Sequence, residues 1–434
     1  MPQTTSSLLS LLLPFSFFSS FFFLFFFFSL TSSVSLDPGI SVNIGTWFTT
    51  TTAAATASSS ASSTTTATTS EYTALQAWKS AITEDPSGIL SSWVGPNLCS
   101  YRGIFCSAPP PDGGTTAATD TVVSAIDLNH ANLKGSLVSV LSSLTHLSIL
   151  HLNSNRFSGA VPDSFSDLHY LTELDLSNNL FSGTFPAAAL LIPNLLYLDL
   201  RFNSFSGELP DDVFEKPLDA IFLNDNRFQG RIPASLWAST ASVITLANNH
   251  FSGDIPPTFG SYMINYSGVR ELLLLNNDLT GCIPDAVGFL GAIQVLDLSF
   301  NSLSGHVPSS VSCLADIEVL NLAHNQLSGD LPELVCGLKE LLNLTVSFNF
   351  FSGLSAGCNR LQFSRGVGFE FAGNCIAGKD FQRPPLQCSE IPGAGLSCLG
   401  MPAAAAEAAA CGRFLGQGSI GFSLNLSALI PQLP

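Results

Sequence analysis

The sequence predicts an α/β solenoid of about ten stacked repeats with a cap at each end, and three observations predict it. A pattern of two leucines one residue apart, then Asn, a large apolar residue, Gly and Pro is plainest in Leu174–Pro186 (LDLSNNLFSGTFP) and returns along the middle of the chain. Marked by glycine, the copies stand at Gly135, Gly159, Gly183, Gly207, Gly230, Gly253, Gly281, Gly305, Gly329 and Gly353, most steps being 24 residues, two 23 and one 28. Non-repeating segments with cysteines flank the array on both sides. Self-similarity at this period marks leucine-rich repeats, whose apolar ends need covering.

Taken in order, residues 1–35 read as a secretory signal peptide: a Leu/Phe run ends in FFFLFFFFSL, and Ser33-Val34-Ser35 offers small residues for cleavage. The segment before the run has no Lys or Arg, and the run is long enough to span a bilayer, so an uncleaved anchor is the alternative. No second spanning run follows, which argues against a receptor with a cytoplasmic kinase. Residues 36–70 are Thr, Ser and Ala for the most part and read as a disordered spacer. Residues 71–121 read as the N-terminal cap. Tyr72, Leu75, Trp78 and Ile82 recur at helical spacing, Asp85-Pro86 stops the helix, and Cys99 and Cys106 are placed to bridge across the open end of the array. Residues 122–356 hold the repeats, residues 357–400 a cysteine-containing C-terminal cap, and residues 401–434 an Ala-rich tail in which no fold is legible.

Within a repeat, Leu-x-Leu reads as a short strand pairing in parallel with its neighbours, both leucines inward. Burying one such side chain contributes roughly 1.5–3 kcal/mol. The Asn that follows (Asn155, Asn179, Asn203, Asn226, Asn249, Asn277, Asn301, Asn325, Asn349) can satisfy backbone groups of adjacent turns; the first copy has Ala131 there. Gly and Pro suit a convex side of irregular or short helical structure rather than a paired sheet. The 28-residue step reflects an insertion around Gly260–Gly268, which reads as a loop on one face.

Ten cysteines behind a signal peptide imply disulfides. Cys99, Cys106, Cys336, Cys358, Cys375, Cys388 and Cys398 are the candidates in the caps, with Cys336 and Cys358 able to tie the last repeats to the C-terminal cap. Cys282, Cys313 and Cys411 have no evident partner, and one of them reads as free or intermolecular. Asn265, Asn343 and Asn425 begin glycosylation sequons.

Function is sought in the positions the repeat leaves free. Side chains flanking the inward leucines point to the concave surface. In the first half these include Asp127, Glu173, Asp175, Tyr197, Asp199 and Phe202, and further along Phe222, Asp225, Asp297 and Phe300. With 32 Asp and Glu against 15 Lys and Arg, the chain disfavours nucleic acid and favours a basic peptide or protein, anchored by aromatic contacts and steered by charge. The bland alternative is that an Asp between two leucines is merely solvated. No metal-ligand spacing, phosphate-cradling glycine loop or nucleophile elbow occurs, so neither an enzyme nor a cofactor is expected.

Three stretches go beyond generic repeats. They are Ala74–Ile82 with Trp93–Pro96 and Cys99–Cys106; Ile126–Ala131; and Leu218–Phe228 followed by Ala241–Val243. Over residues 72–400, including the spacing of Cys375, Cys388 and Cys398, the chain resembles the plant leucine-rich-repeat extensins. The resemblance implies a plant-type right-handed superhelix, secreted to the cell wall. It implies that the repeats bind basic cysteine-rich signalling peptides of the rapid-alkalinization-factor class, acting in wall formation and integrity. Homodimers, wall polymers and wall-associated receptors are the further partners it implies. Residues 401–434 depart from the pattern, carrying no Ser–Pro run with Tyr, as in a tail-less or truncated member. The second reading is a defence protein resembling polygalacturonase inhibitors, and the third a structural wall glycoprotein without a specific ligand.

Overall fold

The computed structural model describes residues 67–109, 121–257, 268–361, 366–390 and Cys398. The signal segment, most of the spacer, the insertion with Asn265, and the tail with Cys411 and Asn425 lie outside the described residues.

The main sheet has twelve strands among the described residues. Val122–Asp127 pairs antiparallel with Ile104–Ser107 of the cap and parallel with Ile149–His151. From there the sheet runs parallel through Glu173–Asp175, Tyr197–Asp199, Ala220–Phe222, Val243–Thr245, Glu271–Leu273, Val295–Asp297, Val319–Asn321 and Asn343–Thr345 to Gly368–Glu370. The register is one for one, so Leu150, Leu174, Leu198, Ile221 and Ile244 are successive partners, all buried. This is the leucine-rich-repeat solenoid that the period predicts.

Two features differ from expectation. The segments around the repeat glycines pair in parallel on a second side, in one sheet from Lys134–Gly135 through Arg156–Gly159, Leu180–Gly183, Ser204–Gly207, Arg227–Gly230 and His250–Asp254 to Asp278–Thr280, and in a separate one of Ser304–Gly305, Gln326–Leu331 and Phe350–Leu354. Irregular structure was expected there; the buried Phe between polar neighbours instead suits a strand with one face inward. Beyond the prolines, short 3-10 helices such as Asp163–Asp167 and Ala234–Ala238 follow as predicted. The main sheet also continues one strand into the region read as C-terminal cap. Phe369-Glu370-Phe371-Ala372-Gly373-Asn374 is the repeat motif with phenylalanine for leucine.

The asparagines tie each repeat to the one before. Asn179 Nδ2 donates to the carbonyls of Leu152 (2.8 Å), Leu176 (3.2 Å) and Ser177 (3.0 Å), while its Oδ1 accepts the Phe157 N–H (2.9 Å). The same set recurs as far as Asn374, which bonds Val346 O and Phe351 N–H. Each amide thus satisfies backbone groups that packing would otherwise leave buried without partners. Inside, the rings of Phe157, Phe181, Phe205, Phe228 and Phe251 stack at 6.2–6.4 Å between neighbours.

The N-terminal cap begins with the helix Ala67–Ala81, four residues ahead of the expected start. Its Trp78 lies against Phe157 (5.8 Å) and so closes the phenylalanine stack, with Trp93 and Tyr101 packed behind it. Ile82–Glu84 adds an unforeseen antiparallel strand on Lys134–Gly135. Disulfides Cys99–Cys106, Cys336–Cys358 and Cys375–Cys388 lie within the caps and last repeats. Cys282 is not without a partner: it bonds Cys398, 116 residues on, beside Gly305, where a Cβ would strike the Cys398 sulfur. Cys313 is disulfide-bonded as well, and no described cysteine is free. The free thiol expected among Cys282, Cys313 and Cys411 is therefore not found among the described residues.

Candidate ligand-binding face

The outer face of the main sheet is a grid. Each strand contributes a residue at its start, one between the two inward leucines, and two at its exit before the ladder Asn. The position between the leucines runs Asp127, His151, Asp175, Asp199, Phe222, Thr245, Leu273, Asp297, Asn321 and Thr345, each in register with the next.

Aspartate here has a structural reason. Asp127, Asp175, Asp199 and Asp297 each accept, through Oδ1, the backbone N–H two residues on, at 2.9–3.0 Å, closing a turn as the chain leaves the strand. What distinguishes them is the second oxygen. In Asp297 it accepts Asn321 Nδ2 at 2.9 Å. In Asp199 it accepts the Arg201 guanidinium (Nε, 2.9 Å) and the Tyr197 hydroxyl (3.2 Å). Asp127 is exposed and Asp175 half-buried, each open toward solvent on the face.

Asp199 is a correction. It was expected to point outward as a ligand contact; it is fully buried, roofed by Tyr197 and Arg201. Burial, then repulsion from Asp175, pushes its pKa up to about 7 despite Arg201. Burial and the same two carboxylates hold the Tyr197 hydroxyl in its protonated form. Arg201 in turn lies 4.8 Å above the Phe222 ring, itself 5.6 Å from Tyr197.

Glu173 bonds His151 Nε2 at 2.9 Å. Burial disfavours charge on His151, but the bond to Glu173 and the charges of Asp175 and Asp127 outweigh it and lift its pKa above the ordinary histidine value. The His151 bond holds Glu173 below the usual carboxylate range. Asp225, half-buried at a strand exit, accepts amide protons from Asn224 (2.7 Å) and Asn248 (2.9 Å).

The aromatic candidates split. Phe202 and Phe300 are half exposed, and both sit just before a ladder Asn, where the backbone is left-handed in every repeat (φ 53° and 52°). Asn, Asp, His and Ser take that position elsewhere, as at Asn178 and Asp225; a bulky ring there is strained. Phe300, His324 and Phe348, all left-handed, stack at 4.1 and 4.3 Å with rings nearly parallel. The next residue in line is Gly373, where a Cβ would strike the Phe348 ring. Burial, then Arg383, lowers the His324 pKa, which favours a neutral ring in the stack. This ladder was not foreseen as a unit, although its signal is legible as aromatic residues 24 apart, each preceding the Asn. Of the sequons, Asn343 is described and lies exposed at the start of its strand, on this same face.

Among the described residues no three His, Cys, Asp or Glu side chains are grouped to hold a metal ion. No described helix is long and apolar enough to cross a membrane.

The family model for leucine-rich repeats matches residues 123–181, 145–205 and 267–327, and that for the leucine-rich-repeat N-terminal domain matches residues 68–107. Among curated proteins the chain is 48% identical over 229 residues to leucine-rich repeat extensin-like protein 6 of Arabidopsis thaliana, covering 53% of this chain and 47% of the relative. It is 63% identical over 154 residues to pollen-specific leucine-rich repeat extensin-like protein 1 of the same plant, covering 36% of this chain and 16% of the relative. The chain thus spans about half, or less, of the length of these relatives. Among solved structures, the Arabidopsis receptor kinase HAESA, in complex with the peptide hormone IDA and the co-receptor SERK1, superposes with a TM-score of 0.56 at 32% identity, covering 65% of this chain and 46% of HAESA. The ectodomain of GASSHO1/SCHENGEN3 from Arabidopsis thaliana, in complex with Casparian strip integrity factor 2, gives 0.58 at 25% identity, covering 70% and 41%. The cap, the repeats and these relatives agree: the chain carries leucine-rich repeats behind a leucine-rich-repeat N-terminal domain and is similar to the plant extensin-like proteins.

Proposed function

We propose that the concave face binds a basic, secreted, cysteine-rich peptide of the rapid-alkalinization-factor type outside the cell, and that the protein links such a signal to the state of the cell wall. The observation that carries this is the open carboxylate edge formed by Asp127, Glu173 and Asp175 beside the Tyr197–Phe222–Arg201 platform. Charge on that edge draws in a cation, and the flanking rings supply contact area. One solved neighbour is the receptor kinase HAESA in complex with a peptide hormone, which supports a peptide as the class of partner. Disulfides in the caps suit an oxidising, extracellular compartment. Dimers, wall polymers and wall-associated receptors are compatible further partners of the remaining surface.

The test is titration calorimetry of the secreted protein against a panel of basic cysteine-rich peptides at low and moderate salt. Binding that weakens steeply with salt is expected. Reversing Asp127 and Asp175 to Lys should cost about 10–100-fold in affinity, mostly through the association rate. Absence of binding across the panel at low salt would sink the proposal.

A further inference from the structure

A carboxylate buried in the floor of a binding face, touching no incoming ligand, needs a reason. Asp199 is fully buried, yet its partners are the residues that line the face. From its own strand, Tyr197 donates to Oδ2 at 3.2 Å and Arg201 Nε lies 2.9 Å from the same atom. The preceding strand brings Asp175 and Glu173 alongside, with His151 and Asp127 in register behind them. The following strand presents Phe222, which carries no charge, and Asp225 stands at its exit.

We propose that the face is proton-gated: protons taken up at Asp199 and His151 release Arg201 and reduce the negative charge of the acidic edge, so a cationic ligand is held weakly in acid and more tightly as the pH rises. This inference rests on the cationic-ligand reading above and names its regulation. In the deprotonated state the Asp199–Arg201 pair is internally neutral, and Asp127, Glu173 and Asp175 set the field. When Asp199 is protonated, Arg201 loses its counter-charge while remaining about one-third exposed over Phe222, within the approach of the ligand. A charged His151 likewise offsets Glu173. Both changes oppose a cation, and both work in the same direction.

The shifts place the window. Asp199 is pushed up to about 7 by burial and Asp175, and His151 is raised above the ordinary histidine value. Asp199 therefore loses its proton as the pH climbs through neutrality, and His151 keeps its proton longer than an ordinary histidine, whereas Glu173 is held below the usual carboxylate range by His151. A ligand charged through lysine keeps its charge throughout, since lysine titrates near 10.

The experiment uses the full chain and a fluorescently labelled twelve-residue oligolysine at low salt, with anisotropy read from pH 5.5 to 8. Affinity is expected to rise about tenfold over that range, from two charges each modulating a solvent-facing attraction. Asp199→Asn keeps the shape and fixes the neutral form, so its affinity at pH 8 should fall toward the acid value of the native protein. Arg201→Gln removes the released cation and should shrink the rise. Selective labelling of arginine nitrogens gives a ligand-free readout: the Arg201 Nε resonance should move with a midpoint near pH 7, and Asp199→Asn should abolish the movement. His130, exposed on the same face, is replaced by Gln throughout so that any pH response reports on the groups named above. Binding without pH dependence, or a full rise retained in Asp199→Asn, overturns the gate and leaves the cationic reading standing. A static Arg201 resonance also overturns it. No binding at any pH overturns both.

Discussion

From Phe157 to Phe251 the phenylalanine rings run inside the solenoid, in an unbroken stack that begins at Trp78 of the cap. From Leu279 to Leu327 the equivalent interior positions are Leu279, Leu303 and Leu327, a ring returning only at Phe351, and the rings of Phe300 and Phe348 stand outside, with His324 between them. Crosslinks follow the same division. No cysteine occurs between Cys106 and Cys282, whereas Cys282, Cys313, Cys336, Cys358, Cys375, Cys388 and Cys398 all form disulfides. The face differs too: carboxylates, His151 and Arg201 beside the Tyr197 and Phe222 rings in the first half, apolar Leu273 and Leu275 next, then the aromatic ladder. One repeat frame thus supports two economies. The first half is held together by ring packing and displays charge among its aromatic side chains; the second is tied by disulfides and displays a continuous ring ladder.

Reduction should expose this contrast most strongly. Each native bridge is worth about 2–4 kcal/mol. Under a reductant at native pH, hydrogen exchange is expected to quicken beyond Cys282 while strands from Ile149 to Thr245 keep their protection. Equal loss in both halves would break the comparison. Next in size is Phe205→Ala, which opens a cavity in the stack and should cost about 3–5 kcal/mol in a denaturant titration, with protection lost first in the first half.

A third prediction concerns the cap. Glu71 is buried, accepts the Val123 N–H at 3.2 Å, and has its pKa raised to about 7, chiefly by burial. The folded protein therefore holds this proton more tightly than the unfolded chain. The stabilisation it brings is complete below the ordinary glutamate pKa and is lost as pH rises through 7. Glu71→Gln should remove that loss, becoming more stable than the native protein at pH 8 by roughly 1–3 kcal/mol, read as Tm against pH. An identical pH profile for the two would show that the carboxyl is solvated. The smallest effect is expected on the ladder. Phe300→Asn relieves a strained left-handed residue while losing a ring stack, so stability should change by less than about 1 kcal/mol. A loss above about 2 kcal/mol in chemical denaturation would make the rings structural rather than a display.

Much of this is legible in sequence because the repeat forces it. Leucine spacing, the Asn ladder and the short-range bridges Cys99–Cys106 and Cys336–Cys358 follow from local period and proximity. Three kinds of feature escape. The last strand of the main sheet hides because phenylalanine replaces leucine at Phe369 and Phe371, so a leucine count stops at Leu344. Asp199 looks identical to Asp175 in the linear pattern; its burial comes with the contacts that Tyr197 and Arg201 make to its second oxygen. The Cys282–Cys398 tie joins residues 116 apart, a pairing that no local spacing reveals. On the face, the candidate positions were legible as positions. Which of their oxygens is spoken for is set by neighbours one repeat away.

That long tie has a mechanical meaning. Pulled by its two ends, a solenoid yields length by peeling one repeat after another, because each repeat bonds only its neighbours. The path between Cys282 and Cys398 is short-circuited by the sulfur–sulfur bond, so the repeats inside the loop cannot be drawn out by tension on the termini. Under load the first half would serve as slack and the second would stay wound. Chemical reduction, rather than force, would be what lets it go.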